Sequence, residues 1–254
     1  MLIDTHCHLQ FPEFNADRTQ IIGNAKKVGV KKIIVPGIDR QSSINAKRLS
    51  DTYPQVIFHS VGFHPYEAQH LPTEQELLHL MDASTIAIGE CGLDYHLYKE
   101  HEAIGKKDNQ KRLFAIHLSL AARKDLPVIM HCRNAFEDFF DVLDSMPQIP
   151  HGVIHCFSGG LQEIRMTSER GLYIGVDGNI TYQKHLARII TQSPLSMILL
   201  ETDAPYLTPI PFRGKKNEPK NVLYVAKYVS SLKGLPLEAI ERVTTENATH
   251  LFRL

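Results

Sequence analysis

The sequence predicts a (β/α)8 TIM barrel, an α/β fold built as one domain over residues 1–254. Three observations predict it: eight short β-branched or apolar runs, amphipathic stretches between them, and a length of 254 residues, the usual size for eight such units. Leu2–His6 is the first strand candidate, and Asn15 then precedes an amphipathic stretch from Ala16 to Val28 as a helix start does. Lys32–Pro36 and Val56–Gly62 follow as strands. Thr73-Glu-Gln-Glu76 reads as a capping box ahead of Leu77 to Met81, and the strand Thr85–Glu90 comes next. From Asp108 to Lys124, Leu113, Ile116, Leu120 and Arg123 recur at helical spacing, after which Pro127 opens the strand Val128–Cys132. Val153–Phe157, Leu172–Val176 and Met197–Glu201 complete the strands, and Asn221–Leu232 and Pro236–Phe252 close the chain as helices. Thr202 to Pro219 is the one long segment without an obvious element, and a loop of that length is usually functional or disordered. The rival fold, an open doubly wound sheet, lacks a Gly-x-Gly-x-x-Gly after its first strand to hold a dinucleotide.

Composition removes several classes of function. Lysine plus arginine and aspartate plus glutamate number 28 each, so no global field draws the chain to nucleic acid or anionic lipid, and any such partner must be held locally. Apolar runs such as Ser196–Leu200 fall far short of the roughly 20 residues that cross a bilayer, which excludes membrane insertion. Neither a basic segment nor a cleavable apolar stretch precedes Leu2, so the expected compartment is the cytoplasm. What stands out is 14 histidines, with four cysteines spaced neither as a zinc ribbon nor as a disulfide framework.

The histidines and acids gather where strands end. Asp4-Thr-His-Cys-His8 closes the first strand, and alternation points His6 and His8 the same way, so two imidazoles can chelate one divalent ion. Glu90, His131, His155 and Asp203 terminate the fourth, fifth, sixth and eighth strands. Burying isolated charges and unpaired imidazoles costs several kcal/mol, so such a ring calls for a cation to share. Cys7, Cys91, Cys132 and Cys156 each directly follow one of these residues, and alternation turns them outward to pack between barrel and helices. A mixed cysteine and histidine zinc site would have to break the pleat at several strands. Four histidines and two carboxylates exceed the needs of one tetrahedral ion, which predicts a two-metal centre and hydrolysis as the reaction class.

Taken together, Asp4-Thr-His-Cys-His8, Gly62-Phe-His-Pro65, Gly89-Glu-Cys-Gly-Leu-Asp94, His131-Cys132, His155-Cys-Phe157, Leu200-Glu-Thr-Asp203 and Asn247-x-x-x-Leu-Phe252 resemble the TatD family, nearly end to end. The family is a branch of the amidohydrolase-like metal-dependent barrels, and its members are magnesium-dependent deoxyribonucleases that often remove nucleotides from a 3′ end. The resemblance implies that His6, His8, Glu90 and Asp203 hold one ion, that Glu90, His131 and His155 hold the second, and that Glu90 bridges. It makes Asp203 the proton acceptor for the attacking water and His64 a substrate or phosphate contact, the plainer reading of His64 being a supporting histidine. Many related amidohydrolases bridge with a carboxylated lysine. A glutamate here favours the TatD branch over cyclic-amide hydrolases.

Around that set, Asp94 either orients a ligand imidazole, contacts substrate or caps a loop, and the facing parity of Asp4 and Glu201 places both one layer deeper than the ligands. Arg213-Gly-Lys-Lys-Asn-Glu-Pro219 resembles the family's loop after the eighth strand; a guanidinium forks a phosphate, so Arg213 is the candidate grip on a nucleic-acid backbone, whereas Lys215 and Lys216 read as solvation of that loop. Tyr95, Phe157 and Tyr206 are the candidate platforms for an unpaired base. His59, His70, His79, His96, His101, His117, His151, His185 and His250 have no partner motif and are assigned surface or structural roles. The expected cofactors are two divalent ions, with Mg2+ in function and Zn2+, Mn2+ or Ni2+ possible as bound, and no organic cofactor. The expected partner is DNA, single-stranded or end-exposed, cut as a 3′-5′ exodeoxyribonuclease would. Two other readings stand beside it: a two-metal hydrolase of a small amide, ester or phosphate, and a non-catalytic binding barrel with structural metals.

Overall fold

Eight strands pair in chain order, each parallel to the next, in the computed structural model, which describes residues 1–96 and 106–254. They are β1 (Leu2–Asp4), β2 (Val30–Pro36), β3 (Ile57–Val61), β4 (Thr85–Asp94), β5 (Val128–Arg133), β6 (Gly152–Ile154), β7 (Tyr173–Val176) and β8 (Ile198–Leu200). Residues just beyond β1 and β8 close the ring: Thr5 N donates to Leu200 O at 3.0 Å, Asp203 N to His6 O at 2.9 Å, and Cys7 bridges Ala204. The described helices are α1 (Arg18–Lys27), α2 (Arg40–Thr52), α3 (Glu74–Leu80), α4 (Lys107–Lys124), α5 (Phe136–Asp144), α6 (Leu161–Glu169), α7 (Lys184–Gln192), α8 (Val222–Lys233) and α9 (Leu237–Phe252). None is long and apolar enough to cross a membrane. His101 lies outside the described residues.

Strand alternation divides the apolar residues into two layers. Ile3, Ile34, Ala87, Ile129, Val153 and Leu199 point inward and fill the barrel, and Ala248, Leu251 and Phe252 of α9 plug its amino-terminal end. Asn247 fixes that plug, its Nδ2 donating to Leu195 O at 3.0 Å and Ile198 O at 2.9 Å. Residues of opposite parity, among them Ile33, Val61, Ile88, Met130 and Ile198, pack outward against Phe14, Leu77, Phe114, Phe139 and Val225. All strands therefore end at one rim, and the interior above Leu199 is left to polar side chains.

Several boundaries differ from the sequence reading for local reasons. The capping box at Thr73 and Glu76 is present and starts α3. Asn15, expected before the first helix, instead ends a 3-10 turn over Pro12–Phe14, and α1 begins at Arg18. An Asp39–Ser42 capping box starts α2, with Ser42 N donating to Asp39 Oδ1 at 2.6 Å. Cys7, Cys91 and Cys132 pack in the outer apolar layer as alternation requires. Cys156 does not. Pairing on β6 stops at Ile154, the chain turns through a φ of 45° at Cys156, and its half-buried thiol meets Asn179 Nδ2 at 3.7 Å. Phe157 is also corrected: its ring is 3% exposed and packs on Phe136, so it offers no face to a base.

Candidate metal centre

Glu90 occupies the middle of the rim because β4 bulges there. Ile88 pairs with Val128 and Cys91 with Met130, so three steps on β4 face two on β5. Glycine makes the approach possible: φ is 132° at Gly89 and 142° at Gly92, and an added Cβ would lie 2.3 Å from Ile129 O or 2.0 Å from His131 O. The Glu90 carboxylate is thus pushed into the barrel, 2% exposed.

Its two oxygens face different neighbours. Oε2 lies 3.2 Å from His6 Nε2 and 3.6 Å from His8 Nε2, and Asp203 Oδ1 completes that group at 3.7 and 3.5 Å from the same two nitrogens. Oε1 lies 2.9 Å from His155 Nε2 and 3.1 Å from His131 Nδ1, with His64 Nε2 at 3.7 Å. All six residues expected from the strand ends therefore converge, and they do so as two groups joined through one carboxylate.

Each group has the dimensions of a cation site. Tetrahedral bonds of about 2.1 Å to nitrogen and oxygen place donors about 3.4 Å apart, and the separations above bracket that length. Glu90 Oε2 is buried without a hydrogen-bond partner, an arrangement that costs several kcal/mol in a carboxylate unless a cation answers it. Burial acts to raise the Glu90 pKa, but the imidazoles of His155 and His6 hold it well below the ordinary range. Burial, with His155 stacked at 3.9 Å, lowers His6 to about 4, so that ring is neutral and its lone pair is free at pH 7.

Behind these groups stand the supporting acids. Asp94 Oδ2 lies 3.1 Å from His131 Nε2 and accepts from Tyr66 Oη at 3.1 Å, so it orients the imidazole by the ring edge opposite Glu90. Burial opposes the charge on His131, yet the bonds to Asp94 and Glu90 outweigh it and lift the pKa to about 9. Asp4 sits a layer deeper, accepting from Thr202 N at 2.9 Å and Thr202 Oγ1 at 2.7 Å, and burial pushes its pKa up to about 8. Glu201 is likewise fully buried, accepts from Cys156 N at 2.6 Å and approaches His155 Nδ1 at 3.8 Å. Gly175 leaves it room, since a Cβ there would lie 2.3 Å from Glu201 Oε2.

Other expected residues sit elsewhere. Arg213 does not reach the donor groups and stacks on Tyr182 with its guanidinium carbon 3.7 Å from the ring centroid. Lys216 does more than solvate, its Nζ lying 3.0 Å from both Asp17 carboxylate oxygens. Tyr95 donates to Asp138 at 2.6 Å and is covered by Lys107 at 4.3 Å. His59 and His117 are buried and hydrogen-bonded, to Ser50 and Thr85 and to Phe63 N and Leu113 O respectively. Asp177, buried at the end of β7 with its pKa raised by burial to about 7, is absent from the expected set, although the strand-end rule that found the others applies to it.

Comparison with known proteins identifies the family. The family model described as TatD related DNase matches residues 3–253. An uncharacterized metal-dependent hydrolase, YabD of Bacillus subtilis (strain 168), is 37% identical over 261 residues, covering 100% of each chain. The 3'-5' ssDNA/RNA exonuclease TatD of Pectobacterium parmentieri (strain WPP163) is 32% identical over 264 residues, again covering 100% of each chain. Among solved structures, YJJV, a TatD homolog from Escherichia coli K12, superposes with a TM-score of 0.87 at 32% identity, over 100% of this chain and 98% of that one. The chain therefore belongs to the TatD related DNase family, and it is a metal-dependent hydrolase that acts on ester bonds.

Proposed function

We propose that this protein is a 3′-5′ exonuclease that removes nucleotides from single-stranded or frayed DNA ends through two divalent ions. The observation that carries the reading is the division of the Glu90 oxygens between the His6, His8, Asp203 group and the His131, His155 group. Relatives named as 3'-5' ssDNA/RNA exonucleases supply the substrate class. The four unpaired cysteines suit the reducing cytoplasm in which such an enzyme would work. Imidazole nitrogens accept Zn2+, Mn2+ or Ni2+ tightly, and Mg2+ is the proposed working ion.

When bound, the ions supply Lewis-acid charge and lower the pKa of water toward neutrality. The chain's own residues do the rest. Asp203 is 14% exposed at the mouth, and although burial opposes its charge, contacts with His8 and His6 keep its pKa below the ordinary range, so it is ionised and ready to take the proton of the attacking water. The new P–O bond forms from that water, the P–O bond to the leaving sugar breaks, and the sugar oxygen takes up a proton. His64 Nδ1 accepts from Tyr66 N at 3.3 Å, so the neutral ring carries its proton on Nε2, where it can donate to a phosphoryl oxygen. Burial, with His131 nearby, lowers its pKa to about 3 and keeps it neutral.

Asp94 holds His131 in place under this reading. Replacement by asparagine is expected to weaken metal affinity about 10- to 100-fold, measured by competition with a chromophoric chelator; unchanged affinity would remove Asp94 from this role. The reading itself is tested with metal-stripped protein, individual ions restored, on end-labelled single and double strands beside Asp203→Ala. Ion-dependent shortening from the 3′ end, lost in the variant, is expected. Activity confined to small amides or esters would overturn it.

A further inference from the structure

The loop that follows β8 walls an open cavity of about 570 Å3 that begins two residues beyond Asp203, lined by Glu13, Tyr182, Pro205, Tyr206, Arg213 and Lys215 among others. Tyr206 stands three residues beyond Asp203, and its N–H donates to the Asp203 carbonyl at 2.9 Å, so a closed turn ties the two residues together. It is nevertheless 52% exposed, a large aromatic face left in water at the mouth of the site. Arg213, stacked flat on Tyr182, keeps the N–H edge of its guanidinium available to an in-plane acceptor.

The loop is held in this shape from within. Asn217, fully buried, donates from Nδ2 to Thr202 O at 2.9 Å and to Tyr206 O at 2.6 Å, while its Oδ1 accepts from Asn221 Nδ2 at 2.8 Å. Thr208 Oγ1 donates to Lys215 O at 2.6 Å, and the Lys216 pair with Asp17 ties the loop to the segment ahead of α1. A cavity prepared in advance spares a ligand much of the cost of ordering it. In a chain of zero net charge, this wall sets Arg213 and Lys215 against Glu13.

We infer that this cavity is a nucleotide subsite, in which one base of the strand stacks on Tyr206 while the edge of Arg213 takes an adjoining phosphate and Lys215 adds charge. The inference rests on the nuclease reading and deepens it. Stacking accepts every base because each has a π face, and a planar fork matches two phosphate oxygens, so the subsite selects polynucleotide over small ester without reading sequence. Glu13 repels phosphate from the Tyr206 side and sets the orientation.

The test compares kcat/KM on a short single-stranded oligonucleotide with that on bis(p-nitrophenyl) phosphate, under the same ions. Tyr206→Ala is expected to lower the ratio of the two about 5- to 150-fold, mainly through KM, and Tyr206→Phe to preserve it. Arg213→Ala should reduce the slope of log KM against log salt by about one. A ratio unchanged in Tyr206→Ala overturns the subsite, whether both activities hold or both fall together. Fluorescence anisotropy of a labelled oligonucleotide on metal-free protein gives a separate measure, weakened binding in Tyr206→Ala supporting the subsite and equal binding opposing it. Wild-type protein that cleaves the small diester but no oligonucleotide would sink the nuclease reading, and the anisotropy result would still decide the subsite.

Discussion

Glu90→Gln is expected, under the proposed two-ion reading, to lose at least one ion and to lower turnover by about 10³-fold or more, given the several kcal/mol of charge stabilisation that a metal site supplies and a tenfold change per 1.36 kcal/mol. The reason is geometric. The carboxylate offers lone pairs on both sides, Oε2 toward His6 and His8 and Oε1 toward His131 and His155. An amide of the same shape has one carbonyl oxygen and one NH2, so whichever way it turns, a donor replaces an acceptor in one of the two groups. The barrel itself does not depend on this side chain, because its apolar interior lies below the rim and its seam is closed by backbone bonds. Circular dichroism should therefore report an intact fold while elemental analysis reports the missing ion. Two ions retained in the variant would contradict the bridge.

Asp203→Asn is expected to lower kcat about 10²- to 10⁴-fold, the range of general-base contributions, with a smaller change in KM for an oligonucleotide. Asp203 is the carboxylate of the central set that reaches solvent, at 14% exposure against 3% for the Glu90 side chain. It is therefore the acid from which a proton taken from water can leave. Asparagine keeps an oxygen for the His6 and His8 group and cannot accept that proton. Single-turnover kinetics separate this loss from slow product release, and a wild-type rate of chemistry in the variant would assign the proton elsewhere.

Much of this centre was legible in the sequence because strand side chains repeat every two residues. His6 and His8 share a face for that reason alone, and the same parity sends Cys7 outward and puts Asp4 beneath His6. Alternation fails where pairing stops. Cys156 lies past the last paired residue of β6, so alternation no longer governs it. The sequence predicts that β4 ends at Glu90, where glycine-bearing sequence follows, yet the strand continues to Asp94. There Gly89 and Gly92 serve close approach to β5, a role visible only once the neighbouring strand is in place. Asn217 was equally hidden: a single asparagine in a proline-rich loop carries no local signal, and its importance comes from carbonyls brought to it by the chain's return.

By itself, then, the sequence determined the barrel, the outward packing of Cys7, Cys91 and Cys132, and which histidines and acids gather at the rim, because periodicity and side-chain chemistry are local properties. The tertiary structure alone decided how those donors divide, with Glu90 turning one oxygen to each group and His131 held from behind by Asp94. The approach of Asp203 to His6 and His8, at 3.7 and 3.5 Å from opposite ends of the chain, is set by closure of the barrel, and that of Glu90 to its histidines by the bulge in β4. No short-range pattern encodes them.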